Sequence, residues 1–431
     1  MKKIIIISYF FPPCSLTASQ RINGWAKYLN EFGYYPTVIT RNWGNNIASP
    51  EDVLKSAGDS IVYNKEETYE VYYLPYKASF RDRIFINNSN NTTIQRLSKF
   101  LTFRDLIFEN FFNKFIPFNN IYRFAQSLLE SNSEYKGVVI SGNPFIQFKF
   151  GYQLSKSKSI KWIADYRDDW TTTELESQKK GLWKYIFNLQ KIHEKKWLKT
   201  SECITSISPY YTKKISNFVE KPGHVILNGY DGVENLNNIK VDPQEFNITY
   251  NGSLYPTQPI EIILREIKKV IDNVCVTIPV KINFPGLAFD KSQRKRVEKE
   301  MIGYENYIEI TDRIPKDEVI EKQLKSDLLL MITHEGIKGI PSSKMYEYIG
   351  LKKQILLFPN DYDIVEETLN DVGLGVVCNS SEEISSNILQ MIFDKQNQIN
   401  KSINYNEERV VFYSRKKQTG ELAKLLDKIF I

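Results

Sequence analysis

The run Ile340-Pro341-Ser342-Ser343-Lys344-Met345-Tyr346-Glu347-Tyr348-Ile349-Gly350 gathers residue types that hold a phosphorylated ligand. Proline suits the first helical position, so a helix is predicted to start at Pro341 and to leave the amides of Ser342, Ser343 and Lys344 unpaired. Amides at a helix start bind phosphate, and Lys344 adds a cation beside them. Glu347, one turn on, suits hydrogen bonds from the vicinal hydroxyls of a ribose. A nucleotide diphosphate meets all three. The plain alternative is an exposed Lys344–Glu347 ion pair, with Met345, Tyr348 and Ile349 packed inward.

A second group is Asp165-Tyr166-Arg167-Asp168-Asp169-Trp170, which follows an apolar strand and so places carboxylates at the edge of a cleft. The competing reading is a self-satisfied Asp-Arg-Asp network that fixes a crossover loop. Arg313, after the strand expected at Tyr307 to Ile310, and Arg21, on the first helix, are further cations for a diphosphate, or simply surface charges. His334 lies between an apolar strand and the Pro341 loop, where a cleft-lining and a structural role are both open. His193 and His224 carry no signal. Cys14, Cys203, Cys275 and Cys378 lie far apart, with no CxxC pair and no histidine set at metal spacing; this points to a reducing compartment and to no metal site.

The elements that must position these residues alternate. Ile4 to Tyr9 is a continuous apolar run of the kind parallel sheets bury on both faces, followed by a turn at Pro12-Pro13. Ile22, Trp25, Ala26 and Leu29 then recur at helical spacing up to Gly33, and Pro36 to Thr40 reads as a second strand. The alternation returns at Val138 to Ser141, Lys161 to Ala164, Cys203 to Ile207 and Val225 to Leu227. A new count starts at Asn247 to Tyr250 and continues near Val280 to Phe284, Tyr307 to Ile310, Leu328 to Ile332, Ile355 to Phe358 and Gly375 to Cys378. Two doubly wound α/β domains are therefore expected, residues 1–235 and 240–410, joined by the turn at Asn228-Gly229-Tyr230-Asp231-Gly232 and a polar stretch to about Glu245. A helical pattern over about 411–431 is a candidate to return to the first domain. An Asn-rich patch at Asn87 to Asn91 reads as a loop. Ligands of such sheets bind at strand carboxyl ends, which places the site in a cleft between the domains.

Size and composition agree. A chain of 431 residues exceeds what one core usually serves. With 42% hydrophobic and 25% charged residues, disorder is not expected. The net charge of +6 is spread along the chain, which gives no sign of nucleic-acid binding. The apolar start is too short for a membrane span, as is every other apolar stretch, so a cytoplasmic protein, peripheral at most, is expected. A dehydrogenase is disfavoured because no GxGxxG follows the first strand.

The Lys344–Glu347 segment resembles the donor-binding helix of glycosyltransferase family 4, a group of retaining enzymes with the two-domain GT-B fold. Tyr9-Phe10-Phe11-Pro12-Pro13, the helix carrying Arg21, the Asp165 loop, Ser206 to Pro209, Asn228-Gly229-Tyr230-Asp231 and Asn251-Gly252-Ser253-Leu254-Tyr255 resemble family segments in the same order. The resemblance spans most of the chain and is nearest to builders of bacterial surface polysaccharides such as capsule and O-antigen. It implies a nucleotide-sugar donor, a metal-independent retaining reaction without a side-chain nucleophile, and no cofactor. It places Asp165 and Asp168 near the acceptor and the transferred sugar, with Arg167 holding that loop or meeting phosphate, counts Gly252 among the donor-binding residues, and puts Gln258 where a phosphate-binding cation or polar group is expected.

Two positions depart from the family. Its glutamate pair lies eight positions apart, and counting back from Glu347 reaches Gly339, with Glu335 the nearest acid. Either Glu335 reaches the sugar as the loop folds back through Gly336 and Gly339, or backbone amides of that loop meet the sugar hydroxyls. The loop after the first strand, often glycine-rich in the family, reads Cys14-Ser15-Leu16-Thr17-Ala18-Ser19; Ser15, Thr17 and Ser19 offer hydroxyls there.

Between Phe80 and Arg123, cations such as Arg96, Lys99, Arg104 and Lys114 interleave with Phe100, Phe103, Phe108, Phe111, Phe112 and Phe115. Lys179 to Lys199 repeats the pattern with Trp183, Tyr185 and Trp197. Both stretches suit an anionic membrane interface, or else core-facing helices with a solvated basic face. In the resembled family the acceptor is a lipid-linked saccharide. Rival readings are a nucleotide-sugar epimerase and a non-catalytic nucleotide-sugar-binding or partner protein, the latter kept open by Gly339.

Overall fold

A computed structural model describes residues 1–44, 50–87, 92–173, 180–232, 241–399 and 402–430. Most of the Asn-rich patch, Lys179 and the expected linker over 233–240 lie outside the described residues. The chain divides into two compact units, Met1–Asn228 with Arg415–Ile431, and Gly229–Ser414.

In the first unit the apolar run forms β1 (Lys2–Ser8), in which Ile4 to Ile7 are fully buried because side chains of both faces meet packed helices. Around it lie β2 (Tyr34–Arg41), β3 (Val62–Lys65), β4 (Glu70–Leu74), β5 (Tyr135–Gly142), β6 (Trp162–Tyr166), β7 (Cys203–Ser206) and β8 (Gly223–Val225), in the order β3-β4-β2-β1-β5-β6-β7-β8. Only β3 runs antiparallel to its neighbour. The winding direction reverses at β1, between β2 and β5. The β3–β4 hairpin has no counterpart in the sequence reading: every β3 residue is exposed, so no apolar run marks it. β8 ends at Val225, short of the expected Leu227. The carbonyls of Ile226 and Leu227 instead accept hydrogen bonds from Arg21 at 2.7 and 3.0 Å.

The helix Arg415–Phe430 packs on this unit, where Leu422, Leu425, Leu426 and Phe430 join Ile4, Ile6, Ile22 and Trp25 in one core. Two glycines make room for it. A Cβ on Gly137 would stand 2.3 Å from the Phe430 ring, and one on Gly24 would stand 3.0 Å from the Arg415 stem.

The second unit is a six-stranded, fully parallel sheet. Its strands are β9 (Phe246–Thr249), β10 (Val280–Phe284), β11 (Ile308–Ile310), β12 (Leu328–Met331), β13 (Gln354–Leu357) and β14 (Gly375–Val377), in the order β11-β10-β9-β12-β13-β14. Winding reverses between β9 and β12. Its core draws on Ile248, Ile282, Leu328, Leu330 and Leu356 with Ile263, Leu264 and Ile267 of the helix Ile260–Ile271 and Ile384, Ile388 and Ile392 of the helix Ser381–Gln396. Among the described residues no helix is long and apolar enough to cross a membrane.

Leu426→Ala should remove a fully buried side chain from the joint between the last helix and β1. A loss of about 2–5 kcal/mol is expected in urea unfolding followed on the first unit, and no change would mean that the helix does not contribute to its core.

Candidate functional site

Where the winding of a parallel sheet reverses, the loops leaving two adjacent strands turn away from each other and leave a crevice at the carboxyl ends. In the second unit those strands are β9 and β12. Residues after β9 (Tyr250 to Gln258), residues after β12 (Ile332 to Ser342) and the start of the helix Ser343–Gly350 meet there.

The helix begins at Ser343 rather than at Pro341. Ser342 is its N-cap, and its Oγ accepts the Lys344 N–H at 3.3 Å. Serine satisfies an orphan amide that proline leaves open, so the cap falls on Ser342 and Pro341 precedes it. The Lys344 amide is thereby occupied, while those of Ser342 and Ser343 find no hydrogen-bond partner among the described residues.

Lys344 is half-buried, and its ammonium turns back to the β9 loop. Nζ donates to Tyr250 Oη at 2.8 Å and to the Ser253 carbonyl at 2.7 Å, lying 4.2 Å from the Tyr250 ring centroid. Desolvation pulls its pKa down to about 7, against the attraction of the Glu347 carboxylate. Gly252 allows the approach: its φ is +80°, and a Cβ there would sit 3.4 Å from Lys344 Cε. The Gly252 amide is already committed, donating to the Pro285 carbonyl at 3.1 Å. The Asn251 N–H donates to Tyr348 Oη at 3.1 Å, which ties the same loop to the next turn of the helix.

His334 joins this cluster. Its Nδ1 is 2.6 Å from Thr257 Oγ1, and its ring lies 5.5 Å from that of Tyr255. Burial, then the nearby Lys344 charge, lower its pKa, which favours the neutral imidazole. Gln258 corrects the expectation of a phosphate ligand. It is buried, its Nε2 donates to the Ile332 carbonyl at 2.5 Å, and its Oε1 accepts the Tyr255 N–H at 2.9 Å. With its amide spent in this way, Gln258 braces the β9 loop against β12.

The loop between β12 and the helix turns at two glycines of positive φ, Gly336 at +72° and Gly339 at +79°. Gly339 is buried and its N–H donates to Asp363 Oδ2, whereas Glu335 stands exposed on the turn. Arg313, after the edge strand β11, is exposed with its guanidinium 3.8 Å from the Phe289 ring centroid.

In the first unit, Arg21, expected as a diphosphate cation or a surface charge, and Asp165 are brought together from 144 positions apart and buried against each other. Asp165 is fully buried; its oxygens accept from Arg21 Nη2 at 2.8 Å, Thr205 Oγ1 at 2.7 Å and Ser141 Oγ at 2.8 Å. The Arg21 guanidinium also donates to the Ile226 and Leu227 carbonyls and lies 4.6 Å from the Trp25 ring centroid. A carboxylate so enclosed cannot orient a substrate hydroxyl, and the pair instead ties β6 to the first helix and the end of β8. Arg167 and Asp168 lie further along the loop. Arg167 Nη1 donates to the Ala18 carbonyl at 3.0 Å and Nη2 stands 3.7 Å from the Asp168 carboxylate, which is largely exposed. Ser15, also exposed, is on the loop that Arg167 reaches.

Two features were missed in the sequence. Tyr250, at the end of β9, reads as one more apolar strand residue, and its hydroxyl becomes visible as the Lys344 partner only in three dimensions. Glu194 is buried within the helix Leu182–Leu198, accepts from Tyr166 Oη at 2.7 Å and from Thr171 Oγ1, and is pushed up to about 7 by burial. It anchors the Asp165–Trp170 loop from behind. Among the described residues no group of three His, Cys, Asp or Glu side chains is placed to hold a metal.

No protein-family model and no curated protein matches the chain. Solved structures do. A sucrose-phosphate synthase from Thermosynechococcus elongatus is 12% identical, with a TM-score of 0.64 over 100% of this chain and 99% of its own. HepE from Anabaena, in complex with UDP and glucose, is 12% identical, with a TM-score of 0.60 over 99% of this chain and 100% of its own. A UDP-forming α,α-trehalose-phosphate synthase from Burkholderia vietnamiensis is 9% identical, with a TM-score of 0.58 over 100% and 99%. At these identities the likeness establishes the architecture: the chain has the GT-B fold, two parallel-sheet α/β domains.

Asp165→Ala should leave the Arg21 charge buried and uncompensated, lowering stability by about 3–5 kcal/mol in denaturant unfolding. Unchanged stability with lost activity would restore Asp165 to the chemistry. At Lys344 the linkage has a definite sign. The folded pKa near 7 lies below the ordinary 10.5, so the unfolded chain binds more protons between these values and wild-type stability gains as pH rises through that window. The thermal midpoint of Lys344→Met relative to wild type should therefore be highest below about pH 7 and decline toward about pH 10. A flat difference would show that the ammonium is not desolvated.

Proposed function

We propose that the protein is a glycosyltransferase that moves a sugar from a nucleotide-sugar donor to a lipid-linked saccharide in the synthesis of a cell-surface polysaccharide, with retention of anomeric configuration and without a bound metal. The observation that carries this reading is the Lys344 ammonium, held beside the capped helix start at the point where the second sheet reverses its winding. HepE, one of the structures of similar fold, has been captured with UDP and with UDP-glucose.

In this reading the diphosphate meets the amides of Ser342 and Ser343 and the Lys344 ammonium, while Glu347 accepts hydrogen bonds from the ribose. An incoming diphosphate raises the pKa of a lysine near 7, so binding draws a proton onto Lys344 and the charge is in place when the leaving group develops its own. The bond from the anomeric carbon to the diphosphate breaks through an oxocarbenium-like state, and the acceptor oxygen bonds to the same face. A phosphate oxygen takes the acceptor proton. No side-chain nucleophile is needed. His334, fixed by Thr257, and the Glu335–Gly339 loop lie on the sugar side of the site. Asp168, Arg167 and Ser15, at the carboxyl ends of the first sheet, receive the acceptor, on the cytoplasmic face of the membrane.

One observation favours a second reading, a protein that binds the donor without turnover. Gly339 stands at the position of the family's first glutamate and its amide is held by Asp363, while Glu335 is turned to solvent.

A panel of nucleotide sugars tested for thermal stabilisation, then for nucleoside diphosphate release with extracted lipid-linked acceptors, separates the two. Stabilisation with release supports transfer, and stabilisation without release on any acceptor supports the second reading. Lys344→Ala and Glu347→Ala should each weaken donor binding by about tenfold or more with unchanged circular dichroism. Unchanged affinity in both would contradict the site.

A further inference from the structure

The first unit carries an exposed aromatic face that its own core does not use. The helix Thr92–Phe108 buries Leu101 but leaves Phe100 66% exposed, and the turn after it leaves Phe111 and Phe112 54% and 51% exposed. On the helix Leu182–Leu198, Ile186 and Phe187 point inward while Tyr185 is 57% exposed. The two segments form one surface: the Phe103 and Trp183 rings lie 4.4 Å apart, and Phe111 meets His193 at 5.1 Å. Phe108 stacks on Phe115 at 5.1 Å and closes the turn. Large aromatic side chains clustered in water cost free energy unless something covers them.

Among the described residues of these segments, the exposed charge beside the rings is of one sign. Arg96, Lys99, Lys114, Lys180 and Lys184 are exposed, and Lys114 sits 5.5 and 5.8 Å from the Phe115 and Phe112 ring centroids. The acids of the same described stretches are withdrawn: Asp105 and Glu194 are buried, and Glu109 is half-buried with its carboxyl pushed up to about 7 by burial. A second copy of this face would meet like charge with like, which disfavours self-association through it. A surface of anionic headgroups over an apolar layer complements both features at once.

We propose that this face, built by the helix Thr92–Phe108, the Phe111–Phe115 turn and the start of the helix Leu182–Leu198, docks on an anionic phospholipid bilayer, with Phe100, Phe111, Phe112 and Tyr185 at the acyl boundary and the flanking cations on the headgroups. It deepens the reading of a lipid-linked acceptor and rests on that reading for its purpose. Its test does not, because adsorption is measured without turnover.

The experiment is co-flotation of the full chain with vesicles of phosphatidylcholine alone or with about one-third phosphatidylglycerol. The chain should float with the anionic vesicles and stay behind with the neutral ones, and its binding should fall as salt is raised. Phe100→Ser with Phe111→Ser should reduce binding about tenfold or more, as should Lys99→Glu with Lys114→Glu. Both variants should keep the wild-type thermal midpoint. Equal recovery with the two vesicle types, no flotation at all, or a wild-type dimer that Phe100→Ser converts to monomer would each overturn the proposal. Flotation with no transfer on any acceptor would support the docking face while contradicting the catalytic reading.

Discussion

The second unit is organised around one desolvated ammonium. Lys344 is separated in sequence from Tyr250 and Ser253 by more than ninety residues, yet it joins the loop after β9 to the helix after β12 at the only place in that sheet where adjacent loops diverge. A lysine among an aromatic ring, a phenol and a carbonyl has partners for its protons but no direct counter-charge in them, which is why its pKa falls so far. Such a group holds the loop after β9 to the helix after β12. The loop brace supplied by Gln258 and the left-handed turn at Gly252 exist in support of this contact, since each fixes the backbone against which the lysine lies.

The first unit uses charge differently. Arg21 and Asp165 satisfy each other in the interior with help from Ser141, Thr205 and the Ile226 and Leu227 carbonyls, so the pair gives geometry and leaves little reactivity. Glu194 supports the same loop from its other side through Tyr166 and Thr171. What remains turned outward is Asp168 at the tip of the loop, together with Ser15 on the neighbouring loop, while Arg167 reaches back to the Ala18 carbonyl. The rigid base and the exposed tip are thus provided by adjacent residues of one acidic segment.

Much of this was legible in order but not in detail. Continuous apolar runs such as Ile4 to Tyr9 and Leu328 to Ile332 marked buried parallel strands, and the residues from Pro341 to Glu347 marked a helix with a cation near its start. The helix start was misplaced by two residues, at Pro341 instead of Ser343, because proline and serine both signal a helix start and only the hydroxyl could satisfy an amide. Partners distant in sequence were invisible: nothing near Asp165 announces Arg21, and nothing near Gln258 announces the Ile332 carbonyl. Strand β3 escaped because an exposed edge strand carries no apolar alternation. The aromatic and basic stretches were ambiguous between core and surface, and both outcomes occur within one helix, with Leu101 inside and Phe100 outside.

The central claim is that an anionic diphosphate is met by the Lys344 ammonium, and proton linkage tests it most directly. Titration calorimetry of UDP binding at about pH 8, in buffers of different ionisation enthalpy, should show uptake of about one proton per nucleotide in the wild type and almost none in Lys344→Met. Proton-neutral binding in the wild type, or equal uptake in the variant, would contradict it.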